Sequence, residues 1–334
     1  MALENQFSEV IILIKKLRTA AFKAVNMELI NLYWQVGAYV SKRIEAAEWG
    51  KSVVQKLALY IEQAEPDVKG FSDKNLWRMK QFYETYKNHE NLSAMLREIS
   101  WTNNLTILSR AKSIQEKEFY LRLCVKEKYS SRELERQMNS GLFERVMIGN
   151  QKLPAAMRDF EPDVSHTFKD SYVFEFLNLP ELHNEKQLQK ALIVQMKNFI
   201  LELGKDFLFM GEQYRIQVGN SDFKIDLLFY HRSLRCLIAF ELKADKFKPE
   251  HLGQLNFYLE ALDRDVKKEH ENPSIGILLC KNKDTEIVEY ALSRNLSPAM
   301  VAEYQTLLPN KKLLQRKLHE IFEATRDDSL DVNA

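Results

Sequence analysis

The amino-acid sequence predicts a two-domain α+β protein, an all-helical first half followed by an α/β domain on a mixed sheet. Three observations carry this. The chain has 334 residues, more than one typical core fills. Apolar residues recur at three- and four-residue spacing through residues 1–150, whereas short β-rich runs alternate with helical ones later on. Between them lies "NQKLPAAMRDFEPDVSHTFKDSY", with two prolines, several turn formers and no sustained period. The expected boundaries are 1–150 for a helical DNA-binding or interaction domain, 151–172 for a linker and 173–334 for the second domain.

The first half reads helix by helix. "FSEVIILIKKLRTAAFKAVNMELINLYWQVGAYVSKRI" has no glycine or proline before Gly37, so a long helix is expected. "SVVQKLALYIEQAEP" is a shorter helix that Pro66 stops. In "GFSDKNLWRMKQFYETY", Ser72 suits an N-cap and Phe71 can staple onto Leu76. Leu76, Met79, Tyr83 and Tyr86 make an apolar stripe, with Lys74, Trp77, Arg78 and Gln81 largely opposite. Two helices broken at "PDVKG", the second with a basic and aromatic outer face, resemble a helix-turn-helix. On that reading Lys74, Trp77 and Arg78 contact nucleic acid, Trp77 by base stacking. A plain solvated helix face is the other reading, and both stay open. Further helices follow through "SIQEKEFYLRLCVKEKYSSRELERQMNSGLFERV".

In the second half, "EKQLQKALIVQMKNFILELG" predicts one long helix ending at Gly204. Strands are expected at "YRIQV", "FKIDLLFY", "LRCLIAFELK", "SIGILLC" and "AMVAEY". Helices are interleaved at "PEHLGQLNFYLEALDRDV", "DTEIVEYALSR" and "NKKLLQRKLHEIFEAT".

Composition sets outer bounds. No apolar run approaches the ~18 residues of a membrane span, and "MALENQFSEV" has no basic-then-apolar secretory pattern, so a cytoplasmic protein is expected. The three cysteines form no C-x-x-C pair or zinc spacing and read as small core residues. Charge is +5 over residues 1–150 and −4 over the remainder. That asymmetry fits a DNA-contacting module joined to an acid-bearing one, and chance fits it as well. No P-loop, G-x-G-x-x-G or H-E-x-x-H is present, which removes the nucleotide-binding and zinc-protease signals.

The chemistry concentrates in "DFKIDLLFYHRSLRCLIAFELKAD". Side chains alternate faces along a strand, so Phe223, Ile225, Leu227 and Phe229 should point one way and Asp226 the other. Glu241 and Lys243 share a face on the next strand, and a short hairpin brings them to Asp226. Two carboxylates in an apolar hairpin need a compensating cation. Lys243 supplies one charge. Oxygen ligands on rigid strands suit Mg²⁺ or Mn²⁺, with Asp226 and Glu241 as ligands and Lys243 positioning water for phosphodiester hydrolysis. An ordinary acid–lysine pair on a solvated sheet face is the bland alternative. Lys224, Lys246 and Lys248 flank the acids and either grip phosphates or simply solubilise the rim. His231 is expected as an exposed turn histidine.

"ID" followed by "ELK" after a short hairpin resembles the PD-(D/E)XK nuclease signature, with Asp226, Glu241 and Lys243 at its charged positions. Gln254 and Tyr258 in "GQLNFYL" match the Q-x-x-x-Y spacing of several branches of that superfamily, which implies that they support the site and contact DNA. With "FILELGKDFLFMGEQYRI", "GFSDKNLWRMKQFYETY" and "ISWTNNLTIL", most of the chain is similar to the bacterial YhcG-like family. The resemblance implies a restriction-endonuclease-like second domain, a helical first domain open to a winged-helix-like arrangement, and a Mg²⁺- or Mn²⁺-dependent DNA nuclease. DNA is the implied partner. A homo-dimer or a defence or recombination protein is open as a second partner, and no membrane is implied. The family pattern has an acid at the position of Gln189; Glu185, one turn earlier, is the nearest substitute, and Glu212 stands where a basic residue is expected. Gln213 lies on the strand before Asp226 with its role open. A nuclease fold acting as a DNA-binding or assembly component, without efficient cleavage, is therefore the alternative.

Overall fold

Helical and strand periodicities become helices and strands over residues 2–149 and 167–331, the part that this computed structural model describes. The chain divides into two units, Met1–Met138 and Asn139–Ala334. Residues 151–166 of the expected 151–172 linker lie outside the described residues.

The described residues of the first unit contain helices and no strand, so the β-hairpin of a winged helix is not among them. They comprise α1 (Ala2–Glu45), α2 (Lys51–Ala64), α3 (Asp73–Tyr86), α4 (Ser93–Glu98), α5 (Trp101–Arg110), α6 (Ile114–Glu127) and α7 (Ser131–Asn139). Ser72 caps α3 by accepting from the Asn75 N–H, and Phe71 packs in the cluster that holds Leu76. The buried stripe of α3 is Leu76, Met79, Phe82 and Tyr86. Phe82 thus takes the place expected for Tyr83, which stays half-buried. A Cβ on Gly37 would fall 2.2 Å from the Met79 carbonyl oxygen. Only glycine lets α1 approach the α3 backbone so closely.

The second unit begins with α8 (Leu142–Ile148), which the expected boundaries put in the first half. Its Glu144 accepts from Gln315 at 2.8 Å, on α13 (Lys311–Asp331), and Arg145 donates to the Ser171 carbonyl at 2.6 Å. Six strands form one mixed sheet: β1 (Ser171–Val173), β2 (Phe207–Val218), β3 (Ser221–His231), β4 (Cys236–Lys246), β5 (Ile275–Asn282) and β6 (Ala299–Gln305). Their order is β1-β6-β5-β4-β3-β2, with β2–β3–β4 antiparallel and β4–β5–β6–β1 parallel.

Helices cover both faces. α9 (Glu185–Val194) and α10 (Met196–Leu203) bury Leu188, Leu192, Phe199 and Leu203 against Leu227, Phe229, Phe240 and Leu242. The single long helix expected here is broken at Gln195. On the other face α11 (His251–Ala261) buries Leu252, Leu255, Tyr258 and Leu259 against Leu228, Leu237 and Ala239. α12 (Thr285–Leu292) adds half-buried Val288 and Leu292 to that layer. The fully buried Glu202 carboxylate accepts from the Val173 N–H at 3.2 Å and lies 3.3 Å from Lys169 and 3.7 Å from Arg145. All three cysteines are buried, and burial pushes each thiol up to about 12. No described helix is long and apolar enough to cross a membrane.

Candidate functional site

The site lies where two paired strands part. The β3–β4 ladder runs from His231↔Cys236 to Leu227↔Phe240. Asp226 and Glu241 are the first residues beyond its last rung. From there β3 stays paired only with β2, and β4 only with β5. Backbone groups released from a ladder must find other partners. Here side chains supply them: the Leu242 N–H donates to Asp226 Oδ2 at 2.9 Å, and Gln189 Nε2 donates to the Asp226 carbonyl at 2.9 Å. Gln213 Nε2 donates to Asp226 Oδ1 at 3.0 Å.

Face alternation also breaks at this point. Phe223 and Ile225 pack with the α11 layer, whereas Leu227 and Phe229 pack with α9 and α10. The expectation that all four share one face therefore fails at Asp226. Gln213 stands across from it, between the rungs Glu212↔Leu227 and Tyr214↔Ile225, with a left-handed φ of 45°. A left-handed residue and the shifted register between Phe209 and Gly211 re-aim the strand, as bulges do.

Glu241 is 2% exposed. Lys243 Nζ donates to its Oε1 at 2.9 Å, while its buried Oε2 has no hydrogen-bond partner. Burial, and after it the neighbouring Asp226 carboxylate, push Glu241 up to about 7. Burial likewise raises Asp226, against the Leu242 N–H and Lys243. Burial pulls the Lys243 ammonium down, but its hydrogen bond to Glu241 and the surrounding acids outweigh that and raise it. One ammonium keeps its own proton here without keeping both acids in their ordinary range. Glu185, the first residue of α9, is half exposed and lies 3.8 Å from Lys243. The structure thus brings Asp226, Glu241, Lys243 and Glu185 together.

Gln254 and Tyr258 share one face of α11, where Gln254 Nε2 donates to the phenol oxygen at 2.7 Å. Burial raises Tyr258, and the charges of Glu241 and Asp226 add to the effect, which puts the phenol within their field. Lys224, Lys246 and Lys248 are exposed around the parting strands. Lys246 lines an open cleft of about 520 Å³ with Asn184, Asp245 and Lys281, at the ends of β4 and β5. Lys74 and Arg78 are exposed on α3 of the first unit, and Trp77 is half-buried with Lys80 Nζ 5.8 Å from its ring centroid.

His231 corrects its expectation. It is 4% exposed, its ring sits edge-on to Phe207 at 4.8 Å, and it accepts from the Leu234 N–H. The residue ends β3 and belongs to the core. Sequence reasoning left the role of Gln213 open and read Gln189 only as a missing acid. Both are glutamines with no periodic signal, and only the register brings them to Asp226.

Two family models match the chain: the DUF1016 N-terminal domain over residues 9–145 and the YhcG PDDEXK nuclease domain over residues 165–319. A relative from Escherichia coli (strain K12), "Putative nuclease YhcG", is 29% identical over 92% of this chain and 92% of its own. Among solved structures, a repair endonuclease from Pyrococcus abyssi aligns with a TM-score of 0.27 and 16% identity over 39% of this chain and 50% of that one. The EndoMS-dsDNA2 complex aligns with a TM-score of 0.25 and 16% identity over 39% and 47%. This chain spans about half the length of those solved chains.

Proposed function

The chain belongs to the nuclease family that joins a DUF1016 N-terminal domain to a YhcG PDDEXK nuclease domain, and from that premise we propose that it is a divalent-metal-dependent deoxyribonuclease. The observation that carries the reading is Glu241: a buried acid, raised to about 7 beside a second acid, with one oxygen on Lys243 and the other unpartnered. A buried acceptor left unpartnered is unfavourable, and a cation satisfies it.

The donor set fits Mg²⁺ or Mn²⁺. Among the described residues no group of three or more His, Cys, Asp or Glu is arranged to hold a metal ion. A pair of carboxylates is what Mg²⁺ uses when it keeps several waters and takes a substrate phosphate oxygen. Asp226 and Glu241 would hold the ion. Bound there, it would acidify a water and neutralise charge on the phosphate.

The remaining work falls to side chains. Lys243 is raised and stays protonated, so it donates a hydrogen bond to the attacking water or a phosphate oxygen rather than taking a proton. Glu185 and Glu241 hold its ammonium between them. Tyr258 keeps its proton at neutral pH and, anchored by Gln254, orients groups beside the acids. Lys224, Lys246 and Lys248 face flanking phosphates, Lys246 from the rim of the cleft. Lys74, Trp77 and Arg78 are the first unit's candidates for the same backbone.

The test is cleavage of labelled single-stranded, duplex and branched DNA, with RNA beside them, in Mg²⁺, Mn²⁺ or EDTA. Cleavage should require metal, and Asp226→Ala and Lys243→Ala should each reduce it by on the order of 10²–10³-fold. Cleavage that persists in EDTA sinks the metal reading. DNA binding without cleavage, equal in all three proteins, favours a binding or assembly component. Gln189 in place of an acid is the observation on that side.

A further inference from the structure

We propose that Gln213 is a positioning residue that holds the Asp226 carboxylate in the plane in which it takes a divalent cation; the inference rests on the reading of Asp226 as a ligand. Asp226 receives three donors, and they divide the work. The Leu242 N–H holds Oδ2 and Gln189 holds the main-chain carbonyl, so a backbone group fixes one carboxylate oxygen and a side chain fixes the backbone. With Oδ2 alone held, the carboxylate could still turn about that bond. Gln213 removes the turn by donating to Oδ1 at 3.0 Å. Each oxygen keeps a lone pair for a cation.

Three features set Gln213 apart from an ordinary strand residue. Its φ of 45° lies in the left-handed region, which is unfavourable for a residue with a Cβ. The side chain is exposed, so burial does not offset that strain. The hydrogen bond to Asp226 is the contact that the conformation secures. Backbone strain held without burial is what a site demands and a core does not. Residue type matters as well: an amide donates without bringing charge. Lysine would compete with the cation, and glutamate would repel Asp226.

The test compares full-length wild type with Gln213→Gly and Gln213→Ala. Mn²⁺ affinity is measured by calorimetry without substrate, and Tm in EDTA. Glycine accepts the left-handed conformation, so Gln213→Gly removes the amide without straining the backbone. Its Tm should be equal or higher while Mn²⁺ binds about 10–100-fold more weakly, the usual effect of losing a group that orients a ligand. Gln213→Ala should show the same affinity loss with a lower Tm. Mn²⁺ affinity within twofold of wild type in Gln213→Gly overturns the inference and leaves the metal reading standing. Failure of wild type to take up Mn²⁺ overturns the metal reading, and this inference falls with it.

Discussion

Glu241 is a residue whose environment works against its charge. Its carboxyl ionises at about 7 in the fold, against an ordinary value of 4.5. Between those values the folded chain holds a proton that the unfolded chain has released. Stability from the neutral acid is therefore complete below pH 4.5 and lost as pH rises to about 7, above which the buried charge is a constant penalty. Glu241→Gln carries no such charge. Relative to wild type it should gain about 1–3 kcal/mol between pH 5 and pH 8, read by urea unfolding in EDTA. Mn²⁺ should stabilise wild type at pH 8 and leave the variant unmoved. A pH-independent difference between the two proteins would mean that Glu241 ionises normally. The acids themselves were legible in "ID" and "ELK" as carboxylates in an apolar hairpin. Gln189 was not, because the loss of an acid is visible in sequence and the gain of an amide donor to a main-chain carbonyl is not.

Within each unit, elements meet by close contacts that single substitutions can break. Gly37 lets α1 meet the α3 backbone, and Gly37→Ala should overpack the contact and destabilise the first unit by about 1–3 kcal/mol, measured by thermal unfolding. In the second unit Glu202 joins α10 to Lys169, Arg145 and the end of β1. Glu202→Ala removes the buried carboxylate that faces both cations and the Val173 N–H and should destabilise by about 3–5 kcal/mol. An effect under 1 kcal/mol would place those cations in solvent. Strands β3 to β6 and the end of β2 from Tyr214 were legible because β-branched and aromatic residues mark them. β1 was not: three residues carry too little pattern, and it exists because β6 offers a parallel edge. The break at Gln195 was equally hidden, since apolar spacing continues through it.

The whole molecule joins a helical unit to an α/β unit, and on the proposed function charge decides which of them would grip nucleic acid. If Lys246 and Lys248 each meet a phosphate, replacing either by alanine should lower the slope of log affinity against log salt by about 1. Lys74→Ala with Arg78→Ala applies the same measurement to the first unit. An unchanged slope there assigns capture to the second unit alone. Salt-insensitive binding by wild type would argue against phosphate contacts altogether.

Composition and periodicity by themselves determined two textures, the order of most helices and strands, and the motif that carries the acids. Those features are local, because a helix or strand needs only the spacing of its own residues. The tertiary structure decided where the β3–β4 ladder stops, which face each side chain takes beyond Asp226, and that His231 is core. It also placed Gln189, Gln213 and Leu242 around one aspartate and Glu185 beside Lys243. Such meetings depend on register and on the parting of strands, which arise between segments distant in sequence.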